Sequence, residues 1–318
     1  MFYELMFTSF KGIMEVFTIG ILGYIIIAGL GKGTAYLDFL SKLLVRITLP
    51  CLVFSGLVSN FEPGKIDLWW AFPLLAVTIN VAGTLAAGSY VMMDKTVKNR
   101  GEFMALVAFQ NGTFLPLAFG QVFFGPDKLP HFLNLIFLYN LLQIPTFFTL
   151  AVWLVNINTG LRQSLKSLAN PPNIATITGL IFALTGTGNI VPESIVRSMA
   201  KIGSMSATLA TFFIGGVVVT NLMKAKPESW SEPIKASIFK SLIFPVLGCL
   251  IVYIIRPPEY IALFIVLQSS MPSAVMIALI IPKNEAKQKM VAASIVLSSL
   301  VSILTIPVFM GIYGWLYW

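Results

Sequence analysis

Ten predominantly apolar stretches follow one another along the chain, separated by short charged loops. They are Ile13–Leu30, Phe39–Leu57, Leu68–Met92, Phe103–Phe124, Phe132–Val155, Ile174–Leu184, Ile202–Met223, Ile234–Ile255, Tyr260–Ile281 and Met290–Tyr317. A helix needs about 20 such residues to cross a ~30 Å hydrocarbon layer. The sixth stretch reaches that length only with Ala169–Asn173 or Thr185–Ile190. Only 11% of the 318 residues are charged and 57% are hydrophobic, whereas a soluble domain carries about a quarter charged residues. Such a chain cannot clothe itself in polar surface. The expected fold class is an all-α polytopic membrane protein with the lipid bilayer as its main partner. The opening MFYELMFTSFKGIMEVF has no basic n-region and no small-residue cleavage site, so it reads as part of the first helix rather than a signal peptide.

The distribution of charge gives the orientation. Lys11, Lys65, Lys128, Arg197, Lys201 and Arg256 fall on one side; the other fifteen of the 21 basic residues fall on the opposite side, in loops such as Lys95–Arg100 and Lys283–Lys289. The rich side is expected to be cytoplasmic, with both termini non-cytoplasmic. A plasma (inner) membrane is the expected location. The net charge of +8 is thus a topology signal, and no nucleic acid is implied.

Five stretches precede the longest central loop and five follow it. LLQIPTFFTLAVWL (Leu141–Leu154) and ILTIPVFMGIYGWL (Ile303–Leu316) align without a gap, matching Pro145 with Pro307 and Trp153 with Trp315. This predicts two repeats, residues 1–155 and 170–318, joined by a cytoplasmic linker at 156–169. Because each repeat holds an odd number of spans, the two are inverted in the membrane, the plan of many secondary transporters.

The fourth and ninth stretches carry the sharpest signal. Each places polar residues before a mid-span proline: QNGTFLP from Gln110 and QSSMPS from Gln268. Proline removes a backbone N–H and clashes with the preceding turn, and freed backbone groups are intolerable in bare lipid. Both helices are therefore expected to break, around Asn111–Pro116 and Ser269–Pro272. Half-helix N-termini at a break concentrate N–H donors, which suits an anion. The expected substrate-binding residues are Gln110, Asn111, Gly112, Thr113 and Pro116, with Gln268, Ser269, Ser270, Pro272 and Ser273. The plainer alternative is that proline and serine here only kink helices or bond their neighbours. Asn111-Gly112-Thr113 is formally a glycosylation sequon, excluded by its depth in the membrane.

These residues resemble a known family. NPPNIATITGLIFALTG (Asn170–Gly186), LSKLLVRITLPCLVFSGL (Leu40–Leu57) and QNGTFLPLAFG (Gln110–Gly120) are similar to the auxin efflux carrier family of permeases. The resemblance implies a ten-helix inverted-repeat fold like that of the bile-acid sodium symporters. It also implies that broken helices four and nine cross as an X at the midplane. The implied activity is carrier-type movement of small organic anions, such as auxin-like indole acids or the dicarboxylates malonate and malate. In that pattern the positions of Asn111, Pro116 and Pro272 line the site.

A second tier comprises Asn80, Asn140, Gln143 and Arg46. The three amides read equally as helix–helix hydrogen bonds. Arg46 reads as an interfacial cation paired with Asp38 or as a guide for anions, and Glu15 as a partner of Lys11. Cys51 and Cys249 sit in apolar runs as small hydrophobes, and the lone His131 has no cluster around it to hold a metal. No cofactor is expected. Sodium or proton coupling and simple uniport all remain open, as does a homodimer. The competing reading is a membrane sensor of the same fold that binds its ligand without translocating it. Zinc-binding His-Glu spacing, paired membrane aspartates and a nucleophile turn are missing, so an enzyme is not expected.

Overall fold

The computed structural model describes residues 2–29, 33–61, 64, 68–155, 169–224, 226–281 and 284–317. Among these the regular elements are all helical. They are α1 (Phe2–Gly29), α2 (Gly33–Leu43), α3 (Leu49–Asn60), α4 (Ala71–Met93), α5 (Arg100–Ala108), α6 (Phe114–Phe123), α7 (Leu129–Thr146) and α8 (Val152–Leu154). After the linker come α9 (Pro171–Thr185), α10 (Glu193–Lys224), α11 (Ser231–Ile238), α12 (Phe244–Ile255), α13 (Glu259–Ser270), α14 (Ile277–Ile280) and α15 (Glu285–Tyr317). Three pairs are continuous rods joined by a single π turn: α2–α3 through Leu44–Thr48, α7–α8 through Phe147–Ala151, and α11–α12 through Phe239–Ile243.

Proline accounts for two of those turns. Pro50 and Pro245 stand just inside α3 and α12, immediately after a π turn, whereas Pro145 lies two residues before the third. A helical proline leaves a carbonyl without its donor. Widening the ladder by one residue, with Leu49 N–H reaching Leu44 O and Phe244 N–H reaching Phe239 O, carries the helix past the defect without a break.

Among the described residues seven stretches are long and apolar enough to cross a membrane: Met6–Gly23, Ala35–Asn60, Ala71–Met93, Leu129–Leu154, Glu193–Val217, Ser231–Ile255 and Glu285–Tyr317. The protein is an integral membrane protein. The other three expected spans differ. α9 has 15 residues, and the fourth and ninth stretches are interrupted, α5 from α6 and α13 from α14. The outer faces are oily: Leu85, Ile254, Leu304 and Trp315 are all more than 60% exposed. α1 and α10 cross through glycine, since a Cβ on Gly215 would lie 1.8 Å from Gly20 O and one on Gly23 would lie 2.4 Å from Phe212 O. Small residues let backbones approach where lipid offers no hydrophobic drive.

On the Lys/Arg-rich side, polar contacts tie the two halves together. Lys235 pairs with Asp94 at 2.7 Å, and Lys287 with the buried Glu102 at 2.6 Å. Glu232 accepts from the Lys98 and Asn99 backbone N–H groups that lead into α5. Asp94, in the loop beyond α4, is held well below the usual carboxylate range, first by the Lys235 ammonium and then by Thr96.

Three sequence expectations need correction. Lys240, counted among the fifteen loop cations, is wholly buried in the π turn between α11 and α12. Asp38 pairs with Lys42 at 2.5 Å, on an exposed face, rather than with Arg46. Lys11 lies over the Phe7 ring instead of pairing with Glu15. The expected linker, residues 156–169, lies outside the described residues except for Ala169, as do Lys32, Lys65, Arg162, Lys166 and Lys283.

Candidate functional site

Where do the freed backbone groups of the two interruptions go? They pair with each other. Asn111 N–H donates to Pro272 O at 2.9 Å, and Ala274 N–H donates to Phe109 O at 2.9 Å, an antiparallel bridge centred on Gln110 and Ser273. The Ser273 hydroxyl adds a bond to Leu106 O at 2.7 Å, and Ser298 Oγ accepts from Ser273 N–H at 3.3 Å. Two broken helices thus supply the donors and acceptors that lipid cannot.

Side-chain amides close the crossing. Asn140 Nδ2 and Gln268 Nε2 both donate to Gly112 O, at 3.2 and 3.3 Å. Thr113 Oγ1 donates to Asn140 Oδ1 at 2.7 Å. Asn80 Nδ2 donates to Gln143 Oε1 at 2.7 Å, and Gln110 Nε2 bonds the Tyr139 hydroxyl. A side chain at 112 would crowd this net, because its Cβ would meet Gln268 Oε1 at 3.3 Å and Gln143 Nε2 at 3.5 Å. Each amide so engaged is locked in orientation.

Beside the crossing lies a cavity of about 450 Å³. Gln110, Asn111, Gly112, Thr113, Asn140 and Gln143 form its polar wall, and Phe114, Phe147 and Phe213 much of its apolar wall. It extends along α2 past Leu37, Asp38, Ser41 and Val45. Among the described lining residues there is no Lys, Arg or His. Asn111 is 8% exposed and faces the cavity, and its side-chain amide makes no hydrogen bond among the described residues. It sits in the break, three residues before α6, a ten-residue helix whose first N–H groups point back toward the break. The site therefore offers neutral donors and positive helix-end potential within an apolar, aromatic shell, with the Asp38 carboxylate, paired with Lys42, along its α2 side.

The family model described as "Membrane transport protein" matches residues 8–160 and 155–310. This chain belongs to the auxin efflux carrier family. It is also similar to an uncharacterized transporter of Methanothermobacter thermautotrophicus, with 24% identity over 306 residues, covering 94% of this chain and 96% of the relative.

Within this family member, the expected site residues divide. Gln110, Asn111, Gly112, Thr113, Asn140 and Gln143 are brought to one cavity. Pro116, Gln268, Ser269, Ser270, Pro272, Ser273, Asn80 and Arg46 are not on its wall. Pro116 does not interrupt the helix; it stands in the first turn of α6, where a missing N–H costs nothing. Ser269 and Ser270 bond back to Val266 O, at 3.0 and 2.7 Å, within their own helix. Arg46 is exposed on the π turn after α2. The sequence reading missed the three phenylalanines, which look like any others in an apolar span. It also missed Leu37, Ser41 and Val45, whose four-residue spacing marks one helical face and was legible.

Proposed function

We propose that this protein is a secondary transporter that moves small organic anions across the plasma membrane by alternating access around the crossing of its two broken helices. On this reading the chain crosses ten times, as two inverted five-helix repeats, 1–155 and 170–318, with both termini outside. It works as a carrier, not an enzyme. The observation that carries the proposal is Asn111. An amide with no hydrogen bond among the described residues, three residues ahead of a half-helix, lines a cavity formed where two interrupted helices pair. A donor that is open to the cavity and left free by the protein is available to a ligand.

The lining narrows the anion. One carboxylate can take the Asn111 amide and the N–H groups at the start of α6. A second carboxylate would meet Phe114, Phe147 or Phe213 with no cation to offset its desolvation. The favoured substrate is a monocarboxylate with an apolar or aromatic body, ahead of malonate- or malate-like dianions. The cavity runs along α2 past Asp38, the partner of Lys42, and with the basic side taken as cytoplasmic this end of it lies inward. With the inside negative, each departing monoanion gains about 2.3 kcal/mol per 100 mV, so export needs no coupled ion.

The test is flux of labelled mono- and dicarboxylates into proteoliposomes under imposed potentials. Saturable, potential-dependent flux of an aryl or alkyl monocarboxylate is expected. Tight binding without flux would make the protein a sensor, and preference for dicarboxylates would overturn the substrate class.

A further inference from the structure

A second chamber, of about 330 Å³, lies where α1, α6 and α10 meet, with Glu15, Gln121, Thr208 and Thr211 as its polar wall. It shares two helices with the Asn111 cavity, in a fixed order. On α6, Phe114 lines the Asn111 cavity, whereas Ala118 and Gln121, further along the helix, line the second chamber. On α10, Thr208 and Thr211 line the second chamber, and Phe213 and Val217 the Asn111 cavity. The Phe114 and Phe213 rings meet edge to face between the two, with centroids 5.6 Å apart. α5 starts at the basic loop Lys95–Arg100 and α6 leads on from the crossing. With the basic side taken as cytoplasmic, the second chamber lies outward of the ring pair.

Glu15 gives this chamber its character, as the one charged residue among its described lining residues. It is exposed and sits ~20 Å along α1 from Phe2, inside the span Met6–Gly23. A carboxylate at that depth is too costly to face acyl chains; such residues face water-filled cavities and mark pathways. Among the described residues it makes no ion pair. Lys11, on the same helix, lies over the Phe7 ring at 4.6 Å. α6 carries no charged residue. On α10, Arg197 pairs with Glu193, and Lys201 stands about two turns outward of Thr208. The charges of α15 are Glu285, Lys287 and Lys289, all at its basic-side start.

We propose that this chamber is the outer mouth of the carrier, closed from the Asn111 cavity by the Phe114–Phe213 pair, and that Glu15 is a specificity-determining charge that repels carboxylates there and hinders recapture of a released anion. An uncoupled carrier must balance at equal concentrations and zero potential, so the charge cannot make flux one-way. What it sets is affinity on the outer face: half-saturation needs more anion outside than inside, and exported product accumulates without occupying the site. The recapture role rests on the transport reading; the openness and charge of the mouth do not.

For the test, Cys51 and Cys249 are replaced by Ala in the full chain, and Thr208→Cys or Gln121→Cys is added as a reporter in sealed vesicles. The probes are membrane-impermeant methanethiosulfonates, one carrying ethyltrimethylammonium and one ethylsulfonate, each rate divided by that with a free thiol. Both reporters are expected to react from the side opposite the Lys/Arg-rich loops, with a roughly tenfold preference for the cationic probe, the scale of focusing by a charged cleft. Glu15→Gln should erase that preference and Glu15→Asp should retain it. In proteoliposomes, Glu15→Gln should lower the outer half-saturating carboxylate concentration roughly tenfold and leave the inner one unchanged. Reporters unreactive from that side, or a preference that survives Glu15→Gln, would overturn the proposal. So would an outer half-saturation that does not move. If the natural protein moves no carboxylate, the transport reading and the recapture role fall together, while the labelling still decides whether Glu15 governs an open outer mouth.

Discussion

The two interruptions begin alike in sequence and end up doing different work. At the first, Phe109–Thr113, the polar residues line the cavity; Gln110 and Thr113 are bonded to Tyr139 and Asn140, and the Asn111 amide makes no hydrogen bond among the described residues. At the second, between Ser270 and Ile277, they are spent on the protein itself. Ser269 and Ser270 cap carbonyls of their own helix, and Ser273 reaches across to α5. Only Ala274, Val275 and Met276 of that break line the cavity, without a polar side chain among them. One break faces the cavity and the other braces it. Approximate repetition of sequence did not bring repetition of role, because each half meets different neighbours.

The contrast can be broken by substitution. The largest effect is expected at Asn111→Ala, which should weaken ligand binding about tenfold to hundredfold, the worth of a hydrogen bond to a charged group. Its melting temperature should hardly move, because the amide has no partner in the empty protein; titration calorimetry alongside a melting curve separates the two. Ser273→Ala should do the reverse: a loss of about 1 kcal/mol of stability from the bond to Leu106 O, with ligand affinity changed much less. Ser270→Ala and Pro116→Ala should be the mildest, within about 0.5 kcal/mol in stability and with little change in flux. A strong binding defect in Ser270→Ala would show that the second break also reads the ligand, and the comparison would fall.

Much of the site was visible beforehand, and the misses share one cause. Sequence reasoning located both interruptions because proline, glycine and adjacent amides in an apolar run are a local conflict. It misjudged how the conflict is resolved. Pro116 looked like the breaker, yet the helix stops before it and restarts with proline in its first turn. Lys240 looked like a loop cation because it falls close to Lys235 and Glu232, and nothing nearby reveals a partner 133 residues away. Asp38 could pair with either Lys42 or Arg46 on one helical face, and spacing alone does not choose between them.

By itself the sequence determined that this chain lives in a membrane, where its helices run, and where two of them must fail. Hydropathy and backbone hydrogen bonding are local properties, summed over a turn or a span, so they can be read in order along the chain. Only the tertiary structure decided which polar groups satisfy one another and which line the cavity. That choice depends on donors and acceptors far apart in sequence, such as Asn111 N–H and Pro272 O, which meet only when the two broken helices cross.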